Sequence, residues 1–399
     1  MKLKTFDITI CGGGMVGLAV ANALAQCDFK IAVIENRKPR SFNINQDYDL
    51  RVSAVTLETV DFFKNMGVWN SIINTRLCPL KAMRVWEESG FGDVSFDAKT
   101  IEEENIGFIV ENRILQLALW ERAESKANIT IFCPETSTHI HVDNNQVEVS
   151  LSNKDRICSK LLVGADGANS SIREQFPFGM KSEQYDQSCL VANASVVNNS
   201  QNITWQRFTP TGPQAYLPLD DTTGSIVWYD SAEKVQSYID LSNEDLSKKI
   251  MCEFPREIGK VTIKDKASFP IFKRHVEKYV VDNVTLVGDS AHVINPLAGQ
   301  GVNLGFQDAE CLARILKAAR DRTENWASSK SMIKYERERY FHNATMMNLM
   351  NVFYYGFSND NHHLKLARNM ALSLANFEPI NKIMGKIGTG KLKSKLLTE

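Results

Sequence analysis

Three glycines spaced as G-x-G-x-x-G (Gly12, Gly14 and Gly17) and an acid 23 residues after the first of them, Glu35, are the residues whose types and spacing point most directly to chemistry. Gly12 permits a tight turn, Gly14 lets a pyrophosphate reach the backbone, and Gly17 lets the following helix pack against the preceding strand. The N-terminus of that helix offers unpaired N–H groups and a partial positive charge to phosphate oxygens. Glu35 stands where the second strand ends, a position from which a carboxylate can take both hydroxyls of a ribose. The implied chemistry is dinucleotide binding, set against the plainer alternative of a glycine-rich turn without a ligand. The spacing does not choose among dinucleotides. Two more strand ends carry acids. One is Gly164-Ala165-Asp166-Gly167, followed by Ser170 and Arg173, in which Asp166 is either a ligand contact or an Asx-turn residue. The other is Gly288-Asp289-Ser290-Ala291-His292, followed by Pro296 and by Gly299-Gln300-Gly301-Val302-Asn303-Leu304-Gly305. There a glycine turn again opens a helix, and Asn303 adds a polar group to its first turn.

The elements that must hold these residues can be read from periodicity. Phe6 to Cys11 reads as a buried strand, and the helix after the turn keeps Val16, Ala19, Val20, Ala23, Leu24 and Cys27 on one face. Ile31 to Ile34 is the next strand, giving strand, helix and parallel strand in succession. Gly107 to Val110, Ile129 to Cys133, a pair of strands around Asn144-Asn145, Leu161 to Val163 and Val284 to Val287 add β structure, with a helix from Ile114 to Ala123. From Ser188 to Asp230 the texture is β throughout, a polar helix fills Ala232 to Phe254, and the chain after Gly301 is mainly helical. The expected fold class is α/β: a Rossmann-like nucleotide domain, discontinuous over 1–184 and 273–340, a β-rich substrate domain inserted at 185–272, and a helical C-terminal region over 341–399.

Composition narrows the function further. With 399 residues, 43% hydrophobic and 23% charged, the chain suits two domains, and a formal net charge of −1 gives no electrostatic case for nucleic acid. The eight cysteines are scattered with no C-x-x-C pair, which speaks against a zinc site or dithiol centre and fits free thiols in a reducing cytoplasm. His139 and His141, and His362 and His363, lack convincing metal spacing, so no metal is expected. The apolar stretch after Met1-Lys2-Leu3-Lys4 superficially resembles a leader, but Asp7 and four glycines interrupt it. No run of about 18 apolar residues would make a transmembrane helix.

Taken together, the three motifs resemble the class A flavoprotein monooxygenases of the p-hydroxybenzoate hydroxylase type, in the same order and over nearly the whole chain. Within that class the chain resembles the ubiquinone-biosynthesis group, through Arg51-Val52-Ser53-Ala54, Val110-Glu111-Asn112, Ala118-Leu119-Trp120 and the stretch from Pro296 to Gly305. Gln187-Ser188-Cys189, Thr204-Trp205-Gln206, Val227-Trp228-Tyr229-Asp230-Ser231 and Gly356-Phe357-Ser358-Asn359 are similar to the members that act on a demethoxyquinol. The resemblance implies FAD as cofactor, held by Gly12, Gly14, Gly17, Glu35, Arg51, Asp166, Asp289, Pro296, Gly299, Gly301 and Asn303. Asp289 would take a ribitol hydroxyl, and the Gly299-to-Gly301 turn would face the edge of the isoalloxazine that becomes anionic on reduction. One departure stands out: many relatives have an arginine where this chain has Asn112, with Arg113 beside it.

The implied reaction is hydroxylation of a polyprenylated demethoxybenzoquinol through a flavin C4a-hydroperoxide, with O2 as cosubstrate and NAD(P)H as a transient donor. No second nicotinamide-binding unit exists, and Gly388-Thr389-Gly390 lacks the flanking elements of one. Alternatives are the same chemistry at another ring position, an FAD-linked prenyl-chain reductase, or a flavin-holding scaffold. No catalytic base is evident. His292 is a candidate, set against the reading that it orders its turn. Tyr216, Trp228 and Tyr229 either line the substrate cavity or form plain core. The substrate's tail implies cytoplasmic protein with peripheral contact to a membrane or a biosynthetic complex. The apolar stretch Met346 to Phe357 with Lys382, Lys386, Lys391, Lys393 and Lys395 after it is the candidate anchor, against a packing helix with a solvated tail.

Overall fold

The computed structural model describes residues 2–143, 145–197, 202–295, 301–357 and 362–392. Its centre is a six-stranded sheet in the order Val280–Val281, Val284–Leu286, Leu161–Gly164, Ile8–Cys11, Ile31–Ile34, Ile129–Phe132. Every neighbouring pair is parallel except the short outer one. Ile8–Cys11, Ile31–Ile34 and Leu161–Gly164 are buried at every residue. That is why they read as continuous apolar runs rather than as alternating strands.

Among the described residues the helices are α1 (Met15–Ala25), α2 (Leu57–Met66), α3 (Trp69–Ile73), α4 (Asn112–Glu124), α5 (Ser171–Gln175), α6 (Ala232–Asp240), α7 (Asn243–Glu253), α8 (Gly301–Asp321), α9 (Ser329–Phe357), α10 (His362–Leu374) and α11 (Glu378–Gly388). Helix α1 follows the first glycine turn and is buried from Gly17 to Ala25. Its small residues let it sit between the sheet, α4 and α8. Around the central sheet lie a three-stranded sheet (Val52–Thr56, Gly107–Glu111, Cys78–Leu80) and a four-stranded one (Leu3–Thr5, Arg156–Ser159, Gln146–Leu151, Ser137–Asp143). In the latter, the hairpin predicted around Asn144-Asn145 forms between Ser137–Asp143 and Gln146–Leu151, with Asn145 at φ 61°; Asn144 lies outside the described residues.

The substrate-side sheet has eight strands in the order His292–Val293, Lys260–Val276, Met180–Val197, Thr223–Ser231, Gly212–Pro218, Ile203–Thr209, Ala82–Glu87, Asp93–Asp97. This differs from the expected single insertion over 185–272. Its long strands begin before and end after that range, and Ala82–Glu87 joins from far upstream by pairing parallel with Ile203–Thr209. A pairing over more than a hundred residues leaves no local signal. The expected polar helix over 232–254 is two helices, α6 and α7, separated where the Ser242 side chain caps the second one through the Asp245 N–H (3.1 Å). The boundary expected at 340/341 falls inside α9, which runs unbroken from Ser329 to Phe357.

One face of this sheet packs Leu190, Trp205, Tyr216, Ile226 and Trp228 against Val235, Tyr238, Leu246 and Ile250 of α6 and α7. The strand period of two turns Cys189, Val191, Ala215, Val227 and Tyr229 to the opposite face.

Candidate active site

Gly12 has φ +111°, and a Cβ on it would stand 2.3 Å from the Ala165 carbonyl oxygen. A Cβ on Gly17 would stand 2.0 Å from the Gly12 oxygen. Both positions are closed to any side chain by backbone. Gly14 is different: nothing lies within 4 Å of where its Cβ would be, and as the N-cap of α1 it has no side chain capping the helix. Two glycines therefore tighten the turn while the third leaves open space at a helix N-terminus, which fits a pyrophosphate. Glu35 is fixed by two backbone N–H groups, Gly13 to Oε2 (2.6 Å) and Arg37 to Oε1 (2.9 Å). The Gln116 amide, on α4, donates to the Gly13 carbonyl (2.9 Å), a brace with no signature in the sequence.

At the second strand end the plainer reading of Asp166 fits the geometry. One carboxylate oxygen accepts from Ser170 Oγ (2.5 Å), the other from Ser171 Oγ and the Ile172 N–H (both 3.1 Å). The side chain serves the first turn of α5, which Ser170 also caps through the Arg173 N–H (3.0 Å). Arg173 then reaches the Ala168 and Ser290 carbonyls (2.9 and 3.0 Å) and ties the second motif to the third. We expect Asp166→Ala to lower the unfolding free energy by about 1–2 kcal/mol, the usual scale for a lost N-terminal cap. Urea titration measures this. A variant of full stability with much weakened flavin affinity would assign the residue to the ligand instead.

The third motif is organised by a residue the sequence reading did not single out, Asp308 on α8. It is fully buried and accepts from Arg339 Nε (2.6 Å), Asn343 Nδ2 (3.1 Å) and the Gly288 N–H (2.9 Å), and it pairs with His292 Nε2 (2.6 Å). Against the desolvation of burial, the His292 ring and the Arg339 guanidinium hold its carboxyl well below the ordinary carboxylate range. His292, itself 2% exposed, is thus bound into the frame. Its ring meets the same carboxylate as the Gly288 N–H, the geometry of a residue that orders the Gly288-to-His292 turn. Asp289, by contrast, projects from the turn with its side chain accessible. Crowding by surrounding atoms raises its carboxyl above the usual range, and His292 and Arg51 pull the other way. Arg51 is exposed and near enough for its charge to act on Asp289.

Asn303 is 1% exposed and works as a brace. Its Nδ2 donates to the Ala54 carbonyl (2.8 Å), and its Oδ1 accepts from the Thr56 N–H (3.2 Å) and Thr59 Oγ1 (2.9 Å). This ties the first turn of α8 to Val52–Thr56 and α2. Gly301 opens α8, while Pro296, Gly299 and Gln300 lie outside the described residues. Gly305 lets α8 cross α1, since a Cβ there would meet Val16 Cγ2 at 2.6 Å. At the position of the departure, Asn112 Oδ1 accepts from Ser53 Oγ (2.6 Å), its N–H donates to the Arg51 carbonyl (3.0 Å), and Arg113 pairs with Asp49 (2.6 Å). Both side chains brace the segment that presents Arg51.

Beside this segment lies a cavity of about 2060 Å³ whose lining includes Arg51, Asn112, Val191, Ala215, Val227 and Tyr229. Of the three aromatics singled out in the sequence, Tyr229 faces the cavity, where burial pushes its hydroxyl well above the ordinary range. Tyr216 and Trp228 are core, stacked on Trp205 and Tyr238 respectively. The cavity continues along α9, past His342, Met346, Met350 and Phe353, and ends at Met384 to Gly388 of α11 and the residues just after it. Desolvation lowers His342 to about 4, which leaves it neutral in neutral solution. The expected anchor at Met346 to Phe357 therefore points largely inward. Met347 and Phe357 are buried, and only Leu349, Val352 and Tyr355 among its large apolar residues face solvent.

Comparison with known proteins agrees with this architecture. A family model described as FAD binding domain matches residues 5–349. The 3-demethoxyubiquinol 3-hydroxylase of Escherichia coli is 39% identical, with 94% of this chain and 96% of that protein aligned. The mitochondrial ubiquinone biosynthesis monooxygenase COQ6 of Xenopus tropicalis is 32% identical over 93% of this chain and 90% of its own length. Among solved structures, the probable FAD-dependent monooxygenase pqsL of Pseudomonas aeruginosa superposes with a TM-score of 0.77 at 17% identity, covering 92% of this chain and all of that one. The p-nitrophenol 4-monooxygenase PnpA of Pseudomonas putida gives 0.77 at 16%, covering 96% and 97%.

Proposed function

The chain belongs to the FAD binding domain family, and on that footing we propose that this FAD-dependent monooxygenase of ubiquinone biosynthesis hydroxylates the ring of a polyprenylated demethoxybenzoquinol. The observation that carries the reading is the long apolar cavity, which starts beside Arg51 at the flavin recess and is large enough for a ring and an isoprenoid chain. The 39% identity to the Escherichia coli hydroxylase spans 94% of this chain, far more than the flavin motifs alone.

Bound FAD, reduced by NAD(P)H, supplies the activation of O2 by which one oxygen atom enters an electron-rich ring. The chain's own residues bind and enclose. The open face at Gly14 and the N-terminus of α1 take the pyrophosphate, Glu35 takes the ribose, and Asp289 takes a ribitol hydroxyl. Arg51, whose charge acts on Asp289, balances negative charge at the site. Val191, Ala215, Leu217 and Val227 form an apolar wall that keeps water from the reacting ring. His342 lines this cavity with its Nδ1 unpartnered, and because burial depresses its basicity it stays a neutral, weakly basic polar group there. The substrate's tail partitions into a bilayer, so the enzyme meets a membrane surface or a carrier while remaining free of any helix, among the described residues, long and apolar enough to cross a membrane.

Quinone profiling of cells lacking the protein tests the assignment. Accumulation of the demethoxy intermediate is expected. Accumulation of a different ring intermediate would reassign the position hydroxylated and leave the flavin chemistry standing. Retention of the unhydroxylated ring with an altered tail would favour prenyl-chain reduction.

A further inference from the structure

More than half of the large apolar side chains exposed among the described residues fall between Leu349 and Ile387. Helix α11 shows why this concentration differs from scattered surface apolarity. Ile380, Ile383, Met384 and Ile387 stand at i, i+3, i+4 and i+7, on one stripe of the helix. Ile383 is 49% and Ile387 56% exposed. Met384 and Ile387 are at once surface residues and lining of the cavity, so the stripe is the rim of the cavity's mouth.

The helix is held across that mouth from its inner side. Asn381 donates to the Ser95 carbonyl (2.8 Å), and a Cβ on Gly385 would meet Ile101 Cγ2 at 2.8 Å, so only glycine allows this close approach. Lys382 pairs with Glu102 (2.8 Å), and Lys391 with Asp61 (2.9 Å) and Glu103 (3.6 Å). Among the described residues these acids pair with Lys382 of α11 and Lys391 just after it, so what this part of the rim offers outward is mostly apolar area.

We propose that this face docks on the bilayer itself, with α11 seated in the interface so that the isoprenoid tail of the substrate passes from the membrane core past Met384 and Ile387 into the cavity. This rests on the substrate reading above. A lipid surface is the occupant that suits the rim, because it is apolar and continuous with a cavity that takes a lipid tail, and because its charge is already paired internally. An apolar stripe this exposed in a monomer otherwise calls for a partner.

Flotation of the FAD-loaded protein with vesicles of phosphatidylcholine, and of phosphatidylcholine with phosphatidylglycerol, tests the proposal against the Ile380→Glu/Ile383→Glu variant, whose two positions are exposed and outside the cavity lining. Wild type is expected to float with both vesicles, and the variant to bind both on the order of tenfold or more weakly. Flavin content and melting temperature should match wild type. Turnover of a tailless quinol should be unchanged in the variant, while kcat/KM for a polyprenyl quinol in vesicles falls in proportion to binding. Equal flotation of variant and wild type would overturn the proposal. So would failure of wild type to float, flotation only with phosphatidylglycerol, or a variant whose sole change is dissociation of a dimer in size-exclusion chromatography. If wild type floats but turns over neither quinol, the substrate reading fails, and the flotation result alone decides the docking surface.

Discussion

Replacing Asp308 by alanine is expected to lower the unfolding free energy by about 3–5 kcal/mol, the cost of removing one member of a buried ion pair. The magnitude follows from what the carboxylate leaves behind. Arg339 is 5% and His292 2% exposed, so both are left largely buried once their partner is gone. The Gly288 N–H and one amide hydrogen of Asn343 lose their acceptor as well. The turn that presents Asp289 then keeps its bonds to Arg173 and Gly164 but loses its tie to α8, so flavin retention during gel filtration should fall with stability. Chemical denaturation of the wild type and the variant reads the effect directly; a loss under 1 kcal/mol would mean the network rearranges around the deletion. The pH dependence has a definite sign. The folded-state carboxyl of Asp308 is depressed, so its contribution is complete above the unfolded value and is lost as pH falls below the ordinary carboxylate range, near 4. The variant should lack that part of the acid limb.

The second large effect is at Gly12. Alanine there would adopt φ +111°, a region L-residues avoid, and would place its Cβ 2.3 Å from the Ala165 oxygen. Backbone strain of about 1–3 kcal/mol and a comparable overpacking cost add, since neither the strand end nor the second motif can yield alone. We expect a destabilised protein that binds FAD at least roughly a hundredfold more weakly, as the turn that aims α1 is displaced. Gly14→Ala is the informative contrast. Gly14 has φ −72° and open space around it, so stability should stay within about 0.5 kcal/mol of wild type. Flavin affinity, measured by fluorescence quenching, should still fall, because the new methyl occupies the approach to the backbone. If Gly14→Ala binds FAD as wild type does, the pyrophosphate lies elsewhere.

The departure at Asn112 shows how sequence comparison and geometry divide the labour. The missing arginine left a contact in question, and the structure shows Asn112 and Arg113 holding the Asp49-to-Ser53 segment instead. Asp166 and Asn303 show the same division. Their motif positions identified them, but their side chains face the protein's own backbone and hydroxyls, which no spacing rule distinguishes from a ligand. Asp308 went unnoticed for the converse reason. It lies in an ordinary helical stretch, and its partners His292, Arg339 and Asn343 are spread along the sequence on both sides.

What the sequence by itself determined is what short-range sterics and periodicity dictate: the Gly12-to-Gly17 turn, the buried strands on either side of it, Glu35 at a strand end, and the helix that begins at Gly301. Each depends on residues within a few positions of one another, where allowed dihedral angles and the burial of one face leave little choice. Only the tertiary structure decided which side of its strand each aromatic takes, since strands buried on both faces show no alternation to read. That put Tyr229 in the cavity and Tyr216 and Trp228 in the core. It likewise decided that Ala82–Glu87 completes the substrate-side sheet, that Asp308 closes on His292, and that α11 borders the cavity mouth. These contacts join segments far apart in the chain, and their free energy appears only once the whole topology has brought them together.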